Sequence, residues 1–325
     1  MKKSQLRIIF MGTPEFAEFS LNRIILKGYN VVAVVTMPDK PIGRHRSVLS
    51  KSPVKRLAIS LGIPVLQPES LKDENFLSIL KSYNAHLQIV VAFRMLPESV
   101  WGMPKFGTIN LHASLLPQYR GAAPINWALV NGESVTGVTT FFIRHDIDTG
   151  DIISQRTVEI EPADNVATLH DKLMIEGALL LLETIEQIIK GQVNKTRQSD
   201  IITERDILLK PAPKIFKETR RIPWHNNMDS VCNFIRGFAP YPGAWSELCT
   251  SDQKNMEFKV LEVEKQESVV KHASGQIHTD GRKFLDVAVA DGYIRLLTIQ
   301  PAGKKQMSVV SFLCGNSITK DDFFK

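Results

Sequence analysis

Cysteine and long apolar runs are both scarce in this 325-residue chain. Its three cysteines, Cys232, Cys249 and Cys314, stand far apart and form no CxxC pair. Neither a disulfide framework nor a thiolate metal site is therefore expected, and the three read as spectator thiols. No uninterrupted apolar stretch approaches the roughly 18–20 residues that a membrane-spanning helix needs, so no membrane association is expected. Met1-Lys2-Lys3-Ser4 passes straight into a strand pattern without a signal-peptide core, which makes the cytoplasm the expected location. Internal repeats and low-complexity tracts are missing too, which excludes solenoids and disordered linkers as the main architecture.

What is present is globular: hydrophobic residues make up 43% and charged residues 23% of the chain, and the length suits two domains. The net charge of +6 is unevenly spread. Between Val34 and Arg56, six Lys and Arg face a single acid, a local balance of +5, and Leu208 to Lys325 carries a further +4. One short loop and the C-terminal third thus hold the positive charge, as a polyanion-binding protein would arrange it, although a merely solvated basic surface gives the same count.

The apolar run Leu6 to Met11, ending in Gly12, predicts a buried parallel strand, and Thr13-Pro14-Glu15 predicts a helix start with Thr13 as its cap. Val31–Thr36, Leu87–Ala92 and Thr108–His112 read as further strands, with helices from Pro53 and over Leu71–Lys81. Alternation of this kind predicts a doubly wound, mostly parallel α/β sheet. Val135–Ile143 and Ile152–Ile160 read as β segments joined by a turn holding Asp148-Thr149-Gly150-Asp151, and Asn165–Lys190 as a long helix ending at Gly191. Residues 192–207 lack a pattern and are expected to be a linker. Beyond them a helix near Met228–Arg236 precedes short strands at Ala244–Cys249, Phe258–Val263, Phe284–Val289 and Tyr293–Ile299. That series predicts a small closed β-barrel of oligonucleotide-binding type. The expected domains are 1–191 and 208–325.

Asn110 and His112 lie two apart near the end of a predicted strand, so their side chains share a face. Strand ends are where open α/β sheets hold ligands. An Asn amide suits a developing oxyanion, and a His exchanges protons near neutral pH. Asp148 is placed to orient or charge the imidazole. Together they fit acyl transfer to an amine. From the residues alone, however, a strand-end His is also compatible with a purely structural role, and Asp-Thr-Gly also occurs in aspartic proteases. His145-Asp146 forms a rival pair that reads as structural, and Gly12-Thr13-Pro14 lacks the further glycines of a nucleotide loop.

The segment Asn110-Leu111-His112-Ala113-Ser114-Leu115-Leu116-Pro117, followed by Tyr119-Arg120-Gly121-Ala122-Ala123-Pro124, resembles the signature of the folate-dependent formyltransferases, and Asp148-Thr149-Gly150-Asp151 resembles their second motif. The resemblance implies a Rossmann-like core with Asn110, His112 and Asp148 as catalytic residues. It further implies that 10-formyltetrahydrofolate is the co-substrate, bordered by Phe93, Met95, Leu96, Ser114, Leu115, Leu116 and Pro117, and that no metal is required. Three more segments are similar to the branch of that family acting on initiator methionyl-tRNA: Arg7 to Ala17, the basic loop Pro38 to Lys55, and Leu296 to Ser308. By that likeness Lys40, Arg44, Arg46, Lys304 and Lys305 would contact tRNA, with Arg44 foremost. The implied reaction is direct formyl transfer to the methionine amine through a tetrahedral intermediate; with no evident self-association element in the sequence, a monomer is expected. Two departures stand out: Ala113 replaces a frequent Gly, and Ala92–Pro97 is one residue shorter than usual, with Arg94 among its residues. The alternatives are a sugar-nucleotide N-formyltransferase and a catalytically inactive tRNA-binding homologue.

Overall fold

Leu6 and the four consecutive residues Ile8 to Met11 are buried, with only Arg7 between them partly exposed, because a parallel strand covered on both faces can expose no side. They form most of β1 (Arg7–Gly12). The computed structural model describes residues 2–42, 48–206, 208–251, 255–267, 272–319 and 321–325. Two compact units divide the chain: one gathers Met1–Gly121, Thr136–Val158 and His170–Pro211, and the other Ala122–Val135, Glu159–Leu169 and Ala212–Lys325.

In the first unit, β1 leads through α1 (Glu15–Leu26) to β2 (Asn30–Val35) and a short hairpin of β3 (Lys40–Ile42) and β4 (Val48–Ser50). Then come α2 (Pro53–Ser60), β5 (Val65–Leu66), α3 (Glu74–Ser82), β6 (Leu87–Val91), α4 (Glu98–Trp101) and β7 (Thr108–His112). After α5 (Pro124–Val130), which belongs to the second unit, the chain forms β8 (Val135–Phe142), β9 (Ile152–Glu159), the long α6 (Val166–Lys190) and α7 (Gln198–Arg205). The sheet order is β5-β2-β1-β6-β7-β8-β9. Pairings from β5 to β7 are parallel, and β8 joins β7 antiparallel. The doubly wound expectation holds.

Local details differ from the sequence reading in instructive ways. Thr13 does not cap α1; Pro14 occupies that position without a side-chain bond, and the Thr13 hydroxyl turns toward Met37 N, 3.4 Å away. The third helix starts at Glu74 rather than Leu71, because the Asp73 carboxylate accepts the N–H of Phe76 at 2.7 Å and fixes the start. Residues 198–205, expected within a linker, are the helix α7.

The second unit adds α8 (Met228–Phe238), β10 (Ala244–Cys249), β11 (Asn255–Glu267), β12 (Ile277–Thr279), β13 (Leu285–Val289), β14 (Gly292–Pro301), β15 (Met307–Ser308), α9 (Val309–Leu313) and β16 (Phe323–Phe324). Its sheet runs β12-β13-β14-β11-β10-β16, with β15 on β14. A bridge between Gln276 and Phe323 joins the two edges, and Phe324 N donates to Gly275 O at 2.8 Å. Gly275 is required there: its φ is +85°, and a Cβ would sit 2.1 Å from the Phe324 carbonyl oxygen. The sheet therefore curls into a nearly closed barrel around Phe258, Phe312 and Phe324, whose rings meet edge to face 5.1 and 5.9 Å apart. In this unit α5 lies on α8, where Asn126 Nδ2 donates to Gly237 O at 2.7 Å. No described helix is long and apolar enough to cross a membrane.

Candidate active site

Asn110 and His112 sit on β7, between β6, where Val90 lies beside Asn110, and β8, where Thr139 lies beside His112. The strand order reverses between β1 and β6, so the carboxyl end of β6 and its neighbour β7 is the natural ligand crevice of this sheet. Asn110 is half-buried, and among the described residues its amide has no hydrogen-bond partner. An amide with an uncommitted N–H₂ at a strand end is available to an incoming oxygen.

His112 is 7% exposed. Its Nε2 lies 2.8 Å from the carbonyl oxygen of Tyr119. A carbonyl only accepts, so Nε2 carries the proton, and the tautomer is thereby set. Nδ1 faces Asp148 Oδ2 at 3.7 Å. That oxygen also accepts the backbone N–H of Gly121 at 2.9 Å. Residues 119–121 therefore hold the imidazole with one carbonyl and the carboxylate with one amide.

Asp148 adopts φ +54°, a left-handed conformation that Asp tolerates better than most residues. Two residues on, a Cβ on Gly150 would lie 1.6 Å from the Phe142 carbonyl oxygen, so the turn presses directly on the end of β8. From α7, the buried Gln198 reaches this turn: its Nε2 donates to the carbonyls of Asp148 and Gly150, both at 2.8 Å. Its Oε1 accepts from Arg120 Nε at 2.9 Å and Nη2 at 2.6 Å. Burial pushes the Arg120 guanidinium below its ordinary value, against the opposing pull of Asp148. The sequence reading placed Arg120 in the signature without a role and missed Gln198. Gln198 lies in a polar stretch without periodicity, and its partners are 48 to 78 residues away in sequence.

The segment implied to border folate follows β6. Leu96 is buried in a cluster with Val90 and Val100, against which Phe93 packs, whereas Met95 is 71% exposed. Arg94 ties the strand end to a neighbouring loop: Nη1 donates to Glu69 O at 2.8 Å and Nη2 to Pro68 O. Its Nε is buried without a partner among the described residues. In the segment after β7, the Ser114 hydroxyl donates to Gln118 O at 2.7 Å. Leu115 packs on Gly137, Leu116 is buried with Phe141 and Ile152, and Pro117 is buried. The uncommitted Asn110 amide is a donor that suits a folate formyl oxygen, and the apolar side chains of Leu115 and Leu116 follow it on the same segment. His145 and Asp146 are 88% and 81% exposed and stay outside this site. Among the described residues no group of three or more His, Cys, Asp or Glu could hold a metal ion.

Two domain families match the chain: formyl transferase over residues 6–185, and formyl transferase C-terminal domain over 214–317. A methionyl-tRNA formyltransferase of Phocaeicola vulgatus is 56% identical and one of Parabacteroides distasonis 54% identical, each over 97% of both chains. The chain belongs to the methionyl-tRNA formyltransferase family. Among solved structures it is similar to an N-formyltransferase from Helicobacter canadensis in complex with folinic acid and dTDP-3-aminofucose. That match has a TM-score of 0.62 and 18% identity over 94% of this chain and 100% of the other, which is a likeness of fold.

For a member of the methionyl-tRNA formyltransferases, the basic residues named from sequence matter next. Lys40 is exposed on β3. Arg44 and Arg46 lie outside the described residues. A clasp sits at the base of their loop. Lys55 Nζ donates to Asp39 Oδ2 at 2.6 Å and Gln67 Oε1 at 2.5 Å, while Gln67 Nε2 donates to Asp39 Oδ1 at 2.9 Å and Met37 O at 2.8 Å. The hydrogen bond from Lys55, then that from Gln67, holds the Asp39 carboxyl below the usual range. Lys304 and Lys305 are exposed in the turn between β14 and β15 of the second unit. The same unit also shows cations over aromatic rings that the sequence reading did not single out: Lys217 and Arg221 over Trp245 at 4.8 and 5.3 Å, and Lys259 over the exposed Tyr241 at 6.0 Å.

Proposed function

We propose that this enzyme transfers the formyl group of 10-formyltetrahydrofolate to the α-amine of methionine esterified to initiator tRNA, giving N-formylmethionyl-tRNA for translation initiation. The observation that supports this reading is the approach of Asp148 to His112 at the end of β7, with Asn110 two residues earlier on the same strand and its amide uncommitted. The neutral amine attacks the formyl carbon, and Asn110 donates to the formyl oxygen as charge gathers on it in the tetrahedral intermediate. His112 receives the proton that the amine sheds at Nδ1, the nitrogen its bond to Tyr119 leaves free, and returns it to the departing folate nitrogen. Asp148 stands beside Nδ1 and balances the transient positive charge.

In this reading residues 1–191 carry out the transfer, and residues 208–325 hold tRNA through exposed cations that include Lys304 and Lys305. Lys40, Arg44 and Arg46 reach the tRNA from the first domain, and the protein works as a cytoplasmic monomer. Formyl transfer to a sugar nucleotide is the rival. The basic balance of Val34–Arg56, which suits a phosphate backbone, supports the tRNA reading over it. The assembled trio speaks against an inactive homologue. The deciding assay follows formylmethionine formation from 10-formyltetrahydrofolate and methionine-charged initiator tRNA. Transfer to tRNA is expected; folate turnover only with an amino-sugar nucleotide would overturn the assignment.

A further inference from the structure

We infer that Gln198 is a positioning residue for the transfer reaction, which locks the Asp148 turn against Arg120 and so fixes the carboxylate beside His112. The role rests on the functional reading above. The side chain is 2% exposed, and an amide buried so deeply must find partners for both its oxygen and its nitrogen. It does so completely: two N–H groups of Arg120 fill the oxygen, and the carbonyls of Asp148 and Gly150 take both amide protons. Because the oxygen faces only donors and the nitrogen only acceptors, the amide has a single orientation.

The consequence is a closed loop of contacts. Tyr119 O accepts the hydrogen bond from His112 Nε2–H, Arg120 is held by Gln198, and Gly121 N donates to Asp148 Oδ2. Three consecutive residues are thus tied to the base, to the bracket and to the carboxylate. The turn is also anchored at its end, where Phe142 N donates to Asp151 O at 3.0 Å and Arg144 Nη2 to Asp151 Oδ2 at 2.6 Å, but the side chain that holds the carbonyls of Asp148 and Gly150 is Gln198. Asp148 sits at φ +54°, and the neighbouring Ile147 is 59% exposed. Without Gln198, two carbonyls of the turn and a half-buried guanidinium lose their partners together. The Asp148 carboxylate then drifts from Nδ1, while groups that bind tRNA or folate are untouched. The defect is expected in the chemical step, since small displacements of a catalytic group cost rate rather than affinity.

The test compares Gln198→Leu, close in size and unable to hydrogen-bond, with Asp148→Asn and the double variant. Gln198→Leu is expected to lower kcat about 10- to 100-fold, with KM for folate and tRNA changed less than about threefold. Added to Asp148→Asn it is expected to lower kcat no further, because both act through one carboxylate. Hydrogen exchange at the Gly121 amide, which reports directly on its bond to Asp148, should rise at least about tenfold in Gln198→Leu, while the β1 and β6 amides keep their protection. Unchanged kcat, losses that multiply in the double variant, or an unchanged Gly121 amide would each overturn the proposal. If the wild-type protein forms no formylmethionyl-tRNA, the functional reading fails. The Gly121 exchange then decides alone whether Gln198 holds the turn.

Discussion

His112 donates its Nε2–H to the carbonyl oxygen of Tyr119, 2.8 Å away, and this single hydrogen bond decides which ring nitrogen is left for chemistry. Nδ1, 3.7 Å from Asp148, is the only one not committed. His112→Ala is therefore expected to abolish turnover at saturating substrate, with near-normal KM values. Asn110→Ala removes a donor to the formyl oxygen and should cost about 10²- to 10³-fold in kcat, roughly 3–4 kcal/mol. Steady-state formylation kinetics separate the two parameters. A loss confined to KM would refute the assignment of Asn110.

Arg44→Ala and Lys40→Ala should act on the other parameter, raising the KM for methionyl-tRNA with little change in kcat. The same contacts predict that tRNA affinity falls steeply with salt, the logarithm of the binding constant declining linearly with that of salt concentration. The Arg44→Ala slope should be shallower by about one ion. Titration of binding between about 50 and 200 mM salt measures this, and an unchanged slope would mean that Arg44 meets no phosphate.

The Asp39 clasp gives a pH signature. Because folding lowers the Asp39 carboxyl, the stabilisation is present above its unfolded value and disappears as the pH falls through the lower folded value. Asp39→Asn should therefore lower Tm relative to wild type at neutral pH, and the two melting curves should converge as the solution is acidified below the ordinary carboxylate range. A difference independent of pH would place the effect outside the Lys55 pair.

Gly150→Ala tests the close approach of the catalytic turn to β8. A methyl group 1.6 Å from the Phe142 carbonyl cannot be accommodated without moving backbone, and overpacking of this kind costs about 1–3 kcal/mol or more. The expected variant is folded, has a lowered Tm, and loses activity out of proportion to its stability. Thermal melts and kcat at a temperature well below Tm distinguish these.

Much of the fold and site was legible in the sequence because the signals are local. Asn110 and His112 share a face by strand geometry, and the Asp148 turn joins two β-rich segments that do form strands, β8 and β9. The barrel strands were legible from their alternation, and Ala244–Cys249 was placed residue for residue. The rest depends on partners distant in sequence. Gln198 looks like any polar linker residue until Arg120 and the Asp148 turn are brought to it. Pro124–Val130 lies inside the stretch that sequence assigns to the first domain, yet it joins the second unit through bonds to Gly237 and Pro213, which no local pattern reveals. The third helix began late because one Asp carboxylate outweighed an apolar residue two positions earlier.

The bond between Phe324 and Gly275 also has a consequence for synthesis. Strand β16 closes the barrel, so while the chain emerges from the ribosome, the outer edge of β10 and the edge at β12 lack their partner until residues 323–324 are made. The second unit therefore acquires its fold late and through contacts of long sequence separation, which slows folding and leaves open strand edges exposed to other nascent chains. The first unit can assemble its parallel strands β5-β2-β1-β6-β7 from segments translated much earlier. Maturation in the cell should thus be paced by the barrel, with chaperone dependence concentrated in the last stretch of translation.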